Sequence, residues 1–161
     1  MAFAPLRSLP KGMLALLYEV SRHLLRRPVV GIAAAARVPD GRWVLIRRAD
    51  TGTWAMPGGT LEWGETLRVA LARELEEEAG IVNPTMGKVI GVYSRPDRDV
   101  RFHAVTILVA CEVEIPVLSP KNPLEIREVA LFETKDVPRP LAMGMDDMFN
   151  DAASGKLALV E

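Results

Sequence analysis

The sequence predicts an α/β fold, a mixed sheet layered between helices. Three observations carry this. Short apolar runs, rich in Val, Ile and Ala, alternate with polar turns. A Leu- and Glu-rich stretch free of Pro and Gly, residues 66–79, stands between two groups of such runs. The 161 residues contain no internal repeat and no linker long enough to split them, so one core is expected.

Taken in order, residues 10–26 form a helix, with Leu14, Leu17, Val20 or Ser21, Leu24 and Leu25 toward one side. Residues 29–38 form a strand apolar enough to be buried on both faces. The turn Pro39-Asp40-Gly41 leads to a strand at 43–48, making a hairpin. The 66–79 helix follows, and Gly80 is placed to end it. Strands are expected at 88–95 and 102–113. A Pro-punctuated loop covers 118–123, a strand 128–133, and a short final helix 145–153. Residues 1–28 are read as a helical extension and 29–161 as the principal domain.

Composition narrows the function. Hydrophobic residues make up 49% and charged residues 25%, near globular averages. The net charge of −1 gives no reason to expect general nucleic-acid or membrane binding. No run approaches the length of a membrane-crossing helix. The apolar stretch at 13–18 is interrupted by Glu19 and followed by arginines rather than a cleavage site, so a cytoplasmic protein is expected. One cysteine, Cys111, excludes an internal disulfide. Its apolar neighbours mark it as a buried small hydrophobe. Two histidines and one cysteine are too few for a zinc site.

The chemistry concentrates in residues 59–81, GTLEWGETLRVALARELEEEAGI. Residues three and four apart share a helix face, so Glu74, Glu77 and Glu78 converge. Leu67, Leu71 and Leu75 form an apolar stripe that docks the helix on a core. Clustered carboxylates repel unless a cation lies among them. Their hard oxygens suit Mg²⁺, with Mn²⁺ able to substitute. Glu76 points away from this face and is read as solvated. Arg73 can pair with Glu77 one turn on. Most Glu-rich helix faces are merely solvated. What argues otherwise is the full set of offsets from Gly59 through Glu65, Arg73 and Gly80.

Those offsets match G-x5-E-x7-R-E-U-x-E-E-x-G-U, with U aliphatic, at every defined position, and the segment therefore resembles the Nudix box. The resemblance implies a Nudix-type α/β/α sandwich from about residue 29, preceded by an extra N-terminal helix. It also implies metal-dependent hydrolysis of a nucleoside diphosphate linked to another moiety. By resemblance Glu74, Glu77, Glu78 and the Gly58 carbonyl in Pro57-Gly58-Gly59 hold the metal. Arg73 orients a metal-binding glutamate, and Glu65 is structural. The general base varies within the family. Here it is Glu74 or Glu78 in the box, or a glutamate on the loop before the last long strand, Glu125 first and Glu128 second.

Substrate choice lies outside the box. Pro96 stands near the offset that marks ADP-ribose hydrolases, and the run Pro96-Asp97-Arg98-Asp99 with Arg101 and His103 is similar to members of that branch. Arg95, Asp97, Arg98 and Arg101 become candidate substrate contacts, although the arginines could equally pair with Asp97 and Asp99. An ADP-ribose-type substrate, giving AMP and a sugar phosphate, is therefore expected. Nucleoside triphosphate clean-up is the alternative, and a non-catalytic nucleotide-binding regulator is the alternative of another class. The partner is a small nucleotide, and the leading helix is suited to packing or to a homodimer contact.

Overall fold

The computed structural model describes residues 11–25, 27–114 and 119–161. Its elements in chain order are α1 (Lys11–Leu25), β1 (Val29–Arg37), β2 (Trp43–Arg48), β3 (Trp54–Ala55), β4 (Gly58–Thr60), α2 (Leu67–Ala79), β5 (Thr85–Tyr93), β6 (Ala104–Glu112), β7 (Ile126–Phe132), α3 (Asp146–Ala153) and β8 (Leu159–Val160). The path through the sheet is β3-β2-β1-β6-β5-β8, with β4 added beside β1 and β7 beside β2.

β1 organises the sheet. It runs parallel to β6 in unbroken register from Val29↔Ala104 to Arg37↔Glu112. Its other edge is shared: β4 pairs with Gly31, Ile32 and Ala33, and β2 meets it only at Arg37↔Trp43. The hairpin expected from Pro39-Asp40-Gly41 therefore forms and at once diverges, and β2 goes on to pair with β7 and β3. Ile32 through Ala36 are buried without alternation, so both faces of β1 are covered. This is the α/β/α arrangement the sequence predicts. The core also takes in Leu71 and Leu75 of α2 and Met148 and Phe149 of α3. Leu71 and Leu75, 1% and 0% exposed, contribute roughly 1.5–3 kcal/mol each by burial. Cys111 is buried as expected, and burial pushes its thiol up to about 12.

α2 starts and stops where its capping residues dictate. The Thr66 hydroxyl accepts the Val69 N–H, and Gly80 adopts φ 68°. The Gly80 N–H donates to the Glu76 carbonyl, the bond of an αL cap, and the Ile81 N–H donates to that of Leu75, with Ile81 buried beneath.

The expected strands at 88–95 and 102–113 are observed at Thr85–Tyr93 and Ala104–Glu112, and the one at 128–133 at Ile126–Phe132. The short β3, β4 and β8 were not anticipated. Pro10, Arg26 and Leu118, and the side chains of Leu24 and Leu25, lie outside the described residues.

For α1, expected to serve packing or a homodimer contact, the described apolar side chains are not buried on the chain's own core. Met13, Leu16, Leu17, Tyr18 and Val20 are all exposed, Leu16 by 64%. No described helix is long and apolar enough to cross a membrane. Removing residues 1–27 should change oligomer size or solubility in gel filtration before it changes per-site turnover. A truncated protein of unchanged size and thermal stability that has lost activity would instead place this helix in the active site.

Candidate active site

The box residues assemble where α2 crosses the Pro57-Gly58-Gly59 segment. The Ala34 N–H donates to the Pro57 carbonyl at 2.8 Å, which ties this segment to β1. A Cβ on Gly58 would lie 2.2 Å from the Ile32 carbonyl oxygen, so only glycine allows the approach. The Gly58 N–H then donates to Glu78 Oε2 at 2.8 Å. A Cβ on Gly59 would lie 2.2 Å from Glu74 Oε1. The two carboxylates, one helical turn apart, thus pack directly over this glycine pair.

Burial grades the acids. Glu78 is 5% exposed, the Glu74 side chain 13% and the Glu77 side chain 51%. Burial pushes Glu78 up to about 8, with the Gly58 N–H opposing and the charges of Glu74 and Glu125 adding to the rise. Burial also raises Glu74, against the nearby Arg73 guanidinium. Arg73 is the hub of the rim: it donates to Glu65 Oε1 at 2.9 Å, to Glu74 Oε1 at 2.9 Å, to Glu77 Oε2 at 3.4 Å and to the Thr60 carbonyl at 3.3 Å. Glu65 also accepts the Glu62 N–H. Glu76, expected to be solvated, is half-exposed and pairs with Lys121 Nζ at 2.5 Å, because the 119–125 loop runs past this side of α2.

As the side chains stand, no three acidic, histidine or cysteine groups among the described residues are spaced to hold an ion. Arg73 draws Glu74 and Glu77 toward itself. The donor set nevertheless fits a hard divalent cation. Desolvation biases the buried Glu78 and the partly buried Glu74 toward their neutral forms, neighbouring carboxylate charges add to it, and a cation would favour the charged form of both. A methyl group at position 59 tests this packing. Gly59→Ala should push the Glu74 carboxylate aside and lower turnover by roughly tenfold or more, with far-UV circular dichroism unchanged. Wild-type turnover in this variant would mean that the position of Glu74 does not matter.

In front of Glu74 lies a cleft of about 290 Å³. Glu74, Glu125 and the Gly58-Gly59 backbone line it on one side, with Arg48 beside them. Arg98, Asp99, Arg101 and Phe102 supply a second wall, and Met143, Met145 and Met148 a third. A larger hollow of about 970 Å³ lies at the other end of β1, around Arg37, Trp43 and Cys111, and holds none of the box residues. Glu74 and Glu125 meet Arg48 and Arg101 in the smaller cleft, with Glu77 and Glu78 outside its lining, and the chemistry belongs there.

Of the two loop glutamates, Glu125 faces the cleft just before β7 and contributes to the rise of Glu74 and Glu78. Glu128 is inside β7, opposite Arg47, and pairs with it at 3.4 Å. Arg98 and Arg101 reach the cleft, whereas Arg95 and Asp97 are absent from its walls. Arg95 is engaged by Glu161 at 3.3 Å, Asp97 at 3.6 Å and Asp147 at 3.7 Å, so these two candidate substrate contacts are not brought together with the others. Sequence reading missed Arg48 and the three methionines. Arg48 ends β2 after an apolar run and Arg47, and pairs with Asp50 at 2.8 Å. That end-of-strand charge next to a polar turn was the available signal. The methionines carried none, since they read as ordinary helix-flanking core.

Comparison with known proteins agrees with this picture. The family model described as "NUDIX domain" matches residues 25–152. An ADP-ribose pyrophosphatase from Methanocaldococcus jannaschii is 34% identical over 115 residues, which is 70% of this chain and 66% of that protein. A MutT-like protein from Streptomyces ambofaciens is 44% identical over 71 residues, 44% of this chain and 46% of that protein. The chain thus spans two thirds or less of the length of these two relatives. The NUDIX domain of Shewanella oneidensis NrtR, solved in complex with ADP ribose, superposes with a TM-score of 0.73 at 18% identity. The superposition covers 91% of this chain and 99% of that one, a likeness of fold.

Proposed function

The chain belongs to the Nudix family, and from that premise we propose that it is a pyrophosphohydrolase acting on a nucleoside diphosphate linked to another moiety, with ADP-ribose as the favoured substrate. The observation that carries this reading is the composition of the cleft. Glu74 and Glu125 on one wall with Arg48 beside them, Arg101 on another and an apolar methionine patch suit a ligand with an anionic centre and a flat nucleoside end. The ADP-ribose pyrophosphatase relative supports the same choice.

Mg²⁺, held by Glu74, Glu77, Glu78 and the Gly58 carbonyl, would neutralise charge on the diphosphate oxygens. The chain's own groups do the rest. Arg73 holds Glu74 in place, and the Gly58 N–H holds Glu78. Glu125 borders the cleft with its residue exposed, where it can accept a proton from the attacking water. Water adds to one phosphorus, the bridging P–O bond breaks, and AMP and ribose phosphate leave.

The test incubates purified protein and Mg²⁺ with ADP-ribose, dinucleoside polyphosphates and (d)NTPs, with products resolved by chromatography. AMP and ribose phosphate from ADP-ribose, at the highest kcat/KM of the set, are expected. Pyrophosphate release from a (d)NTP with ADP-ribose untouched would move the protein to nucleotide-pool clean-up. Tight nucleotide binding with no turnover would make it a binding protein.

A further inference from the structure

Arg98 stands among the candidate substrate contacts, yet its guanidinium is already fully engaged. The side chain is 5% exposed. Nε donates to Glu161 Oε2 at 3.2 Å. Nη1 donates to the Gly144 carbonyl at 2.6 Å and to Asp147 Oδ1 at 2.8 Å. Nη2 donates to Asp147 Oδ2 at 2.6 Å and to Glu161 Oε1. A guanidinium has five N–H donors, and each has an acceptor here. None remains for a phosphate. Glu161 is similarly committed, because its Oε2 also accepts the N–H groups of Ser94 and Arg95, both at 2.8 Å.

This cluster joins three segments distant in sequence. One is the loop 94–103 that follows β5. The second is the turn entering α3, with Gly144 and Asp147. The third is the residue after β8, whose N–H is fixed to the Val92 carbonyl at 3.0 Å. The first two supply two walls of the cleft. Arg101 sits on the seam between them. It is paired with Asp99, whose side chain is 7% exposed, lies 5.1 Å from the Phe102 ring, and approaches Met143 Sδ at 3.4 Å. A shift of either wall would therefore move Arg101.

We propose that Glu161 and Asp147, acting through Arg98, are positioning residues that lock the 94–103 loop to the 143–148 segment and so place Arg101 for substrate. The assignment rests on the reading that this cleft takes a nucleotide. It separates two tasks. Glu74, Glu78 and Glu125 are carried by α2 and the approach to β7, outside the clamp. Loosening the clamp should therefore weaken substrate capture and spare the chemical step.

The test compares Glu161→Gln, Arg98→Lys and the double variant with the wild type. Amide hydrogen exchange across residues 94–98 is read first, and it needs no substrate. It should accelerate by about tenfold in each variant, since a bidentate charge-assisted contact is lost. KM for ADP-ribose should then rise roughly tenfold with kcat held within about twofold, and the double variant should be no worse than the worse single one. Unchanged exchange overturns the clamp. Faster exchange with unchanged KM, or a fall in kcat at constant KM, overturns its positioning role. A wild type that hydrolyses no nucleotide defeats the functional reading separately, and exchange alone then decides whether the clamp exists.

Discussion

Glu78→Gln should lower turnover by roughly 10²-fold or more, about 3 kcal/mol in the barrier, while leaving the metal-free protein at least as stable as the wild type. The two halves of this expectation have one cause. Glu78 is 5% exposed, and burial already drives its carboxyl toward the neutral form. A neutral amide of the same shape can still accept the Gly58 N–H, so the metal-free fold loses little. What it cannot supply is the negative oxygen that a divalent cation requires. Glu77→Gln should cost a similar factor, although the Glu77 side chain is half-exposed and pairs with Arg73 at 3.4 Å. Glu76→Gln is the control. Its partner is Lys121, on an exposed pair worth about 0–1 kcal/mol. Kinetics with Mg²⁺ and thermal melts in chelator check all three. Equal kinetic effects at positions 76, 77 and 78 would mean that the helix face has been misassigned, and a collapse of the metal-free Glu78→Gln fold would make its role structural.

The acids that matter were legible because helical spacing converts sequence offsets into geometry with few alternatives. Thr66 and Gly80 fix the ends of α2, the leucine stripe fixes its buried face, and the positions of Glu74 and Glu78 follow. β2 was legible for a related reason, as a short apolar run bounded by a turn and by charge. β3, β4 and β8 span two or three residues each and present no period to read. β4 is a strand only because β1 offers it Gly31, Ile32 and Ala33 as partners.

The 94–103 loop shows where local reading stops. Arg95, Arg98 and Arg101 look equivalent in sequence, each next to or near an aspartate. Arg101 pairs locally with Asp99, whereas the fates of the other two are set by Asp147 and Glu161, tens of residues away, which bury Arg98 and leave Arg95 half-exposed outside the cleft. Glu125 and Glu128 differ in the same way. β7 begins between them, so one borders the cleft and the other joins the ladder beside Arg47. The exposed α1 marks another limit. Its leucines declare an apolar surface, and spacing alone cannot say whether that surface meets its own chain.

Removing the metal should abolish hydrolysis and should also reverse how stability responds to pH. The folded chain holds Glu78 at about 8, above the ordinary glutamate value, chiefly through burial. Below the ordinary value both folded and unfolded chains carry the proton, and the fold keeps its full stability. As pH rises above it, the unfolded chain ionises first and the folded chain does not, so stability falls with each unit. The fall ends once pH passes the folded value, by then on the order of a few kcal/mol. In chelator, the wild-type melting temperature should therefore decline between about pH 5 and about pH 8, by more than that of Glu78→Gln. With Mg²⁺ or Mn²⁺ present, the ionised carboxylate is the favoured form, and the added stability should grow over the same interval because binding requires deprotonation. Melts across that range with and without metal, alongside turnover in chelator, read both effects. Parallel pH profiles in the two conditions, or full activity in chelator, would remove the divalent cation from this site.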